Sequence, residues 1–261
     1  MRRFGTAIAA VLALAATAAA AATPPAGHIN FVACPIIRDT KTVPCWLSEY
    51  QGKLYYLGIQ FDATADFYPP YLGHKALVEG VVSKEPSICG GIVLKPVKVS
   101  VIPDLDPSCN TQLPAEDQYQ IKDAPRGPGP RYHAQAYTPQ PPPPPPVPPF
   151  TTKDFVVYYD YQSELGARSL GAMIQAMTYA KAIKASRVEV TGYRASMLLS
   201  DGSRLTETDW IARHRAERLA DTLRQIGVPA KTLSATWVQQ PARGTGADDD
   251  KLRRAVIRVV P

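Results

Sequence analysis

The sequence predicts an α+β protein in two halves: a small disulfide-stapled all-β N-terminal domain, a Pro-rich linker, and a C-terminal βαβαββ α/β sandwich. Three observations predict it. All four cysteines lie between positions 34 and 109, among short alternating apolar runs. The 26 prolines are too many for one compact fold and gather in the middle of the chain. After residue 151, strand-like and helix-like patterns alternate.

At 261 residues there is room for two small domains. The formal charge of +6 is modest and spread out, which argues against a nucleic-acid partner. Seventeen bases against twelve acids fall in 151–261, a balance suited to an anionic partner such as a wall polymer. Residues 1–22 read as a secretory signal peptide: Met1-Arg2-Arg3, an apolar run from Thr6 to Ala16, and a small-residue cleavage site ending near Ala22. The run is Ala-dominated and short of the ~20 strongly apolar residues of a membrane span. No cysteine follows it to carry a lipid. The expected mature chain has no transmembrane segment and resides in the periplasm or cell envelope.

Residues 23–115 form the expected β domain. Cys34, Cys45, Cys89 and Cys109 are an even set in an exported segment, without C-x-x-C pairs or interleaved histidines, so disulfides are expected rather than zinc. Three pairings exist. Cys34–Cys45 with Cys89–Cys109 closes the shortest loops and is the expected one. Strands are expected at Lys53–Phe61, Lys75–Val82 and Gly91–Ile102, the last interrupted or bulged at Pro96. An open barrel of OB-like size follows, and a membrane barrel is excluded on length. Tyr55, Tyr56, Phe61, Tyr68 and Tyr71 read as core and rim before they read as a ligand face.

The linker, 116–150, contains six consecutive prolines from Pro141 to Pro146 and reads as a polyproline II spacer. The C-terminal module, 151–261, follows with strands at Asp154–Tyr161, Arg187–Gly192, Lys231–Val238 and Ala255–Val260. Helices are expected at Leu165–Lys184 and Trp210–Ile226. In the last strand Ala255, Ile257 and Val259 share a face, as one helix-covered side of a sheet requires.

The second helix carries the main functional signal. Its apolar stripe holds Ile211, Ala212, Ala216, Leu219, Ala220, Leu223 and Ile226. Arg215 points with them, one turn from both Ile211 and Leu219. A guanidinium there either snorkels to water or meets an anion. A diaminopimelate stem peptide carries an ammonium and carboxylates, so its receptor needs a carboxylate and a cation at fixed separation.

The order of elements and two motifs resemble the OmpA-like C-terminal domain family, which holds peptidoglycan non-covalently. The family's T-G-H-T-D appears as Thr191-Gly192-Tyr193-Arg194-Ala195, and its L-S-x-x-R-A as Ile211-Ala212-Arg213-His214-Arg215-Ala216. Its N-R-R-V appears as Leu252-Arg253-Arg254-Ala255. The resemblance implies that Arg215 holds a stem-peptide carboxylate, with Tyr193, Arg194, Asp209, Arg253 and Arg254 around it. One departure stands out: Ala195 occupies the place of the family's aspartate, and Arg194 beside it repels an ammonium. A longer loop, Ser196–Asp209, carries Asp201, Glu207 and Asp209. Asp209 ends a capping-box spacing, Thr206 to Asp209, and is either a cap or a displaced replacement for the lost carboxylate.

No nucleophile–base set is present. His214 lies on the polar helix face without a motif serine or cysteine, so the chain is not expected to be an enzyme. Asp248-Asp249-Asp250 reads as a solvated turn rather than a calcium site, and neither metal nor cofactor is expected. Two functions follow as expectations. One is an envelope protein that binds peptidoglycan and presents its N-terminal domain, at a distance, to an envelope protein partner. The alternative is a degenerate OmpA-like module acting as a periplasmic protein-interaction scaffold without wall binding.

Overall fold

The computed structural model describes residues 23–59, 69–121, 146–165 and 170–261. The signal-peptide reading, Phe61, Tyr68 and most of the linker lie outside the described residues. Among the described residues, no helix is long and apolar enough to cross a membrane.

The N-terminal half is one sheet of seven strands: β1 (His28–Ala33), β2 (Pro35–Arg38), β3 (Cys45–Tyr50), β4 (Lys53–Ile59), β5 (His74–Val82), β6 (Ile92–Leu105) and β7 (Thr111–Leu113). Their order is β1-β5-β6-β4-β3-β2-β7. The sheet curls into a half-barrel, so that Phe31 of β1 stacks on Tyr50 of β3 at 4.7 Å, over a core with Trp46, Tyr55, Val78 and Leu94. Tyr55 belongs to this core, Tyr56 packs on the opposite side with Leu47, and Tyr71 is exposed. These aromatics therefore form no common face. A register shift between Gly80 and Val82 lies opposite Pro96, where the interruption is expected.

The disulfides differ from the expected pairing. Cys34 bonds Cys109, and Cys45 bonds Cys89. Strand register overrides loop length here. β2 runs parallel to β7 with Ile36 opposite Thr111, and the same register carried back two residues sets Cys34 opposite Cys109. The closed loops span 75 and 44 residues instead of the short ones. Replacing Cys45 and Cys89 together by serine is expected to cost roughly 4 kcal/mol in the chain-entropy model, read from urea unfolding. Beyond β7, a 3-10 turn at Asp117–Tyr119 packs back on this half: Arg38 lies over the Tyr119 ring at 4.0 Å and bonds Glu116 at 3.2 Å.

The C-terminal half contains β8 (Lys153–Tyr158), α1 (Leu170–Ala182), β9 (Arg187–Gly192), β10 (Ala195–Leu198), β11 (Arg204–Thr206), α2 (Ile211–Gln225), β12 (Leu233–Trp237), β13 (Ala242–Arg243) and β14 (Arg254–Val260). Four strands form a sheet in the order β12-β9-β14-β8. Both helices cover one face of it: Val157, Val190, Ala255 and Ile257 meet Tyr179, Ala216, Leu219 and Leu223. The βαβαββ expectation holds for these elements. α2 approaches the sheet at Gly192, where a Cβ would lie 2.0 Å from the Ala212 carbonyl oxygen. Gly192→Ala therefore forces helix and strand apart. An expected loss of about 2–3 kcal/mol is measurable as a lower urea midpoint.

The expected order lacks a second, three-stranded sheet, β11-β10-β13. Its hairpin, β10 and β11, is the segment read as a long loop. This small sheet joins the two halves, which are in direct contact. Leu77 of β5 and Val32 of β1 pack with Tyr161, Ala195, Met197 and Leu199. β5 is buried across five consecutive residues, Ala76–Gly80, because one face lies inside the half-barrel and the other meets the C-terminal half. Asn30 of β1 exchanges bonds with Ser200 (N–H to Oγ at 2.9 Å, Ser200 N–H to the Asn30 carbonyl at 2.8 Å). Its side-chain amide donates to the carbonyls of Leu198 and Gly246 at 3.1 and 2.9 Å.

Candidate functional site

Arg215 faces inward from the stripe of α2 and is 0 % exposed. Nε donates to the Ser163 carbonyl at 3.0 Å. Nη1 donates to the Tyr193 carbonyl at 3.0 Å and to Glu207 Oε2 at 2.9 Å. Nη2 donates to the Asp160 carbonyl at 3.2 Å and to Glu207 Oε1 at 2.6 Å. A guanidinium has five N–H donors, and here all five are used. The Tyr159 ring lies under it, 4.8 Å from Cζ to the centroid.

Glu207 is equally enclosed. Its side chain is 0 % exposed and accepts two further bonds, from the Gln162 and Ala195 backbone N–H groups at 3.1 and 2.9 Å. The carboxylate and guanidinium thus satisfy each other inside the fold, a pairing that contributes little net stability yet is costly to break on one side.

The acceptors of Arg215 in this structure all belong to the chain. The cause is the β10–β11 hairpin, which folds over the end of β9 and α2 and delivers Glu207 directly after β11. Ala195 buries its methyl among Met197, Leu199 and Leu77, donates its N–H to the Glu207 carboxylate, and accepts the Glu207 backbone N–H on its carbonyl. Asp209 does not cap α2. The residue flanking α2 is Trp210, which makes no side-chain cap bond, and Asp209 pairs with Arg194 Nη1 at 2.5 Å on the surface. Arg194 is itself tied down, donating to the Glu207 and Gln239 carbonyls at 2.7 Å each.

The other motif residues separate. Tyr193 gives its carbonyl to Arg215, while its ring lies 4.9 Å from the Arg254 guanidinium. Arg253 turns toward the other half of the molecule. It is 1 % exposed and holds Glu79 of β5 through two bonds, 3.1 and 2.6 Å, with Nε on the Tyr159 carbonyl at 3.3 Å. Burial pushes the Glu79 carboxyl above its usual range, and Arg253 pulls it back toward ionisation. Arg215 and Arg253 therefore both contact Tyr159, one at its ring and one at its carbonyl.

Two acids were not singled out from the sequence, Glu207 and Glu79. Glu207 is one of three acids in the 196–209 segment, and Asp209 is the one whose spacing suggests a role. Glu79 interrupts an apolar strand run, as Arg215 interrupts an apolar helix stripe, which is the same signal. Asp249 also departs from its reading as part of a solvated turn. It is buried and accepts N–H groups from Leu198, Thr245 and Gly246. Gly244 leaves room for it: a Cβ there would lie 2.0 Å from Oδ2. His214 bonds Glu164 at 3.1 Å, and its ring lies tilted against that of Trp210, 4.8 Å between centroids.

No family model matches the chain, and no curated protein matches it. Solved structures do match, over 42 % of the chain, and they are OmpA-like and MotB periplasmic domains. The OmpA-like domain of FopA1 from Francisella tularensis is 19 % identical, with 73 % of that chain covered and a TM-score of 0.32. A putative MotB-like protein from Desulfovibrio vulgaris is 12 % identical, 73 % covered, TM-score 0.33. The periplasmic domain of Helicobacter pylori MotB is 19 % identical, 76 % covered, TM-score 0.31.

Proposed function

We propose that this is an exported cell-envelope scaffold whose OmpA-like half docks its own N-terminal β domain and does not grip stem peptides through Arg215. The observation that carries the reading is the closed Glu207–Arg215 pair, 2.6 and 2.9 Å, with both side chains 0 % exposed. A receptor arginine needs a free donor edge, and this one has none. Arg253, the first arginine of the N-R-R-V-like motif, is likewise spent on the interdomain contact. The four cysteines are all in disulfides, which suits an oxidising compartment.

Co-sedimentation of the intact, oxidised protein with purified sacculi tests this. The expected result is that the protein stays in the supernatant at every sacculus concentration. Saturable retention, competed by a diaminopimelate-containing stem peptide, would overturn the reading and restore the wall-binding one.

A further inference from the structure

The hairpin of β10 and β11 has two attachments. At its root, Glu207 and the Ala195 N–H enclose Arg215. At its tip, Leu198 and Ser200 bond Asn30 on the edge of β1. Between them, Ala195, Met197 and Leu199 pack with Leu77 of β5. Seven residues separate tip from root, and the strands are joined by backbone register from Ser196–Thr206 to Leu198–Arg204. A displacement at one end therefore moves the other. A second connection runs from Arg215 across the Tyr159 ring, through the Tyr159 carbonyl to Arg253, and on to Glu79.

We propose that the hairpin is an internal latch, in which seating Glu207 on Arg215 and docking the N-terminal half are one event. Glu207 is a tethered carboxylate, and the place it fills selects small carboxylates when it is removed. The guanidinium offers two parallel donors, and the Ala195 and Gln162 N–H groups offer two more, in a geometry that suits a planar two-oxygen anion. A spherical halide uses this arrangement poorly. The inference rests on the reading that Arg215 is neutralised within the chain.

The test uses the full chain with a specific protease site inserted between Gly129 and Pro130. After cleavage, association of the two halves is followed by gel filtration and titration. The wild-type halves are expected to stay together. Glu207→Ala is expected to weaken association at least roughly tenfold. Added formate or acetate is expected to restore it, and chloride at equal ionic strength is not. Asn30→Ala is expected to weaken association without any response to carboxylate.

Glu207→Ala halves that associate as tightly as wild type would overturn the latch. Equal recovery by chloride, or carboxylate recovery of Asn30→Ala, would overturn the carboxylate site. If circular dichroism shows the Glu207→Ala C-terminal half unfolded, Glu207→Gln keeps the side chain's shape without its charge, and unchanged association of its halves would overturn the latch equally. Saturable retention of the intact wild-type protein on sacculi would sink the scaffold reading alone, because the association measurement does not depend on it.

Discussion

Glu207→Ala is expected to remove about 3–5 kcal/mol of unfolding free energy, because it leaves a guanidinium buried without its counter-charge. The three carbonyls of Ser163, Tyr193 and Asp160 remain, but none carries a full charge. Glu207→Gln is expected to lose less, since one amide oxygen still accepts while the NH2 group faces a donor. Replacing both partners, Arg215→Met with Glu207→Leu, is expected to recover most of the loss, because neither charge is then desolvated. Urea unfolding at constant m-value measures all three. A loss below about 1 kcal/mol for Glu207→Ala would mean that the pair behaves as a solvated surface bridge.

Glu79→Ala is expected to act as strongly on the contact between the halves. It strands Arg253, 1 % exposed, at the boundary where Leu77 and Met197 meet. The wild-type protein is expected to unfold in one calorimetric transition, because the two halves share that cluster. With Glu79→Ala, two transitions are expected, the N-terminal sheet and the C-terminal sandwich melting separately. The reverse disruption, Arg253→Met, is expected to split the trace in the same way by leaving the Glu79 carboxylate unpaired. A single undiminished transition in both variants would show that the apolar cluster alone couples the halves.

The parts of the fold legible in the sequence are those with a local period. β4, β5, β6, β9 and β14 alternate or run apolar, and α2 has a clear stripe, so each is found near its true bounds. β1, β2 and β3 lie around cysteines and prolines and are short. β10 and β13 pair in parallel across a long separation, Ala195 with Ala242, and no local pattern reports such a contact. The disulfide pairing is hidden for the same reason, since it follows from β2 lying beside β7. At the site, the misplaced charge of Arg215 was legible and its partner was not. A burial signal names a residue in need of an anion, but not whether the anion comes from solvent or from eight residues upstream. The β10–β11 hairpin decides that, and hairpin tertiary placement is not a property of its own sequence.

The edge of β1 has a bearing on how the chain is made. Asn30 is completed by groups 168 to 216 positions later, at Leu198, Ser200 and Gly246. Synthesis runs from the amino end, so this strand emerges early and waits for nearly the whole polypeptide with its outer hydrogen-bonding row bare. A nascent intermediate stalled before residue 198 thus carries an open template for pairing with a neighbouring copy. Truncated products ending ahead of the hairpin should accumulate as aggregates, whereas the finished chain masks its own most adhesive border.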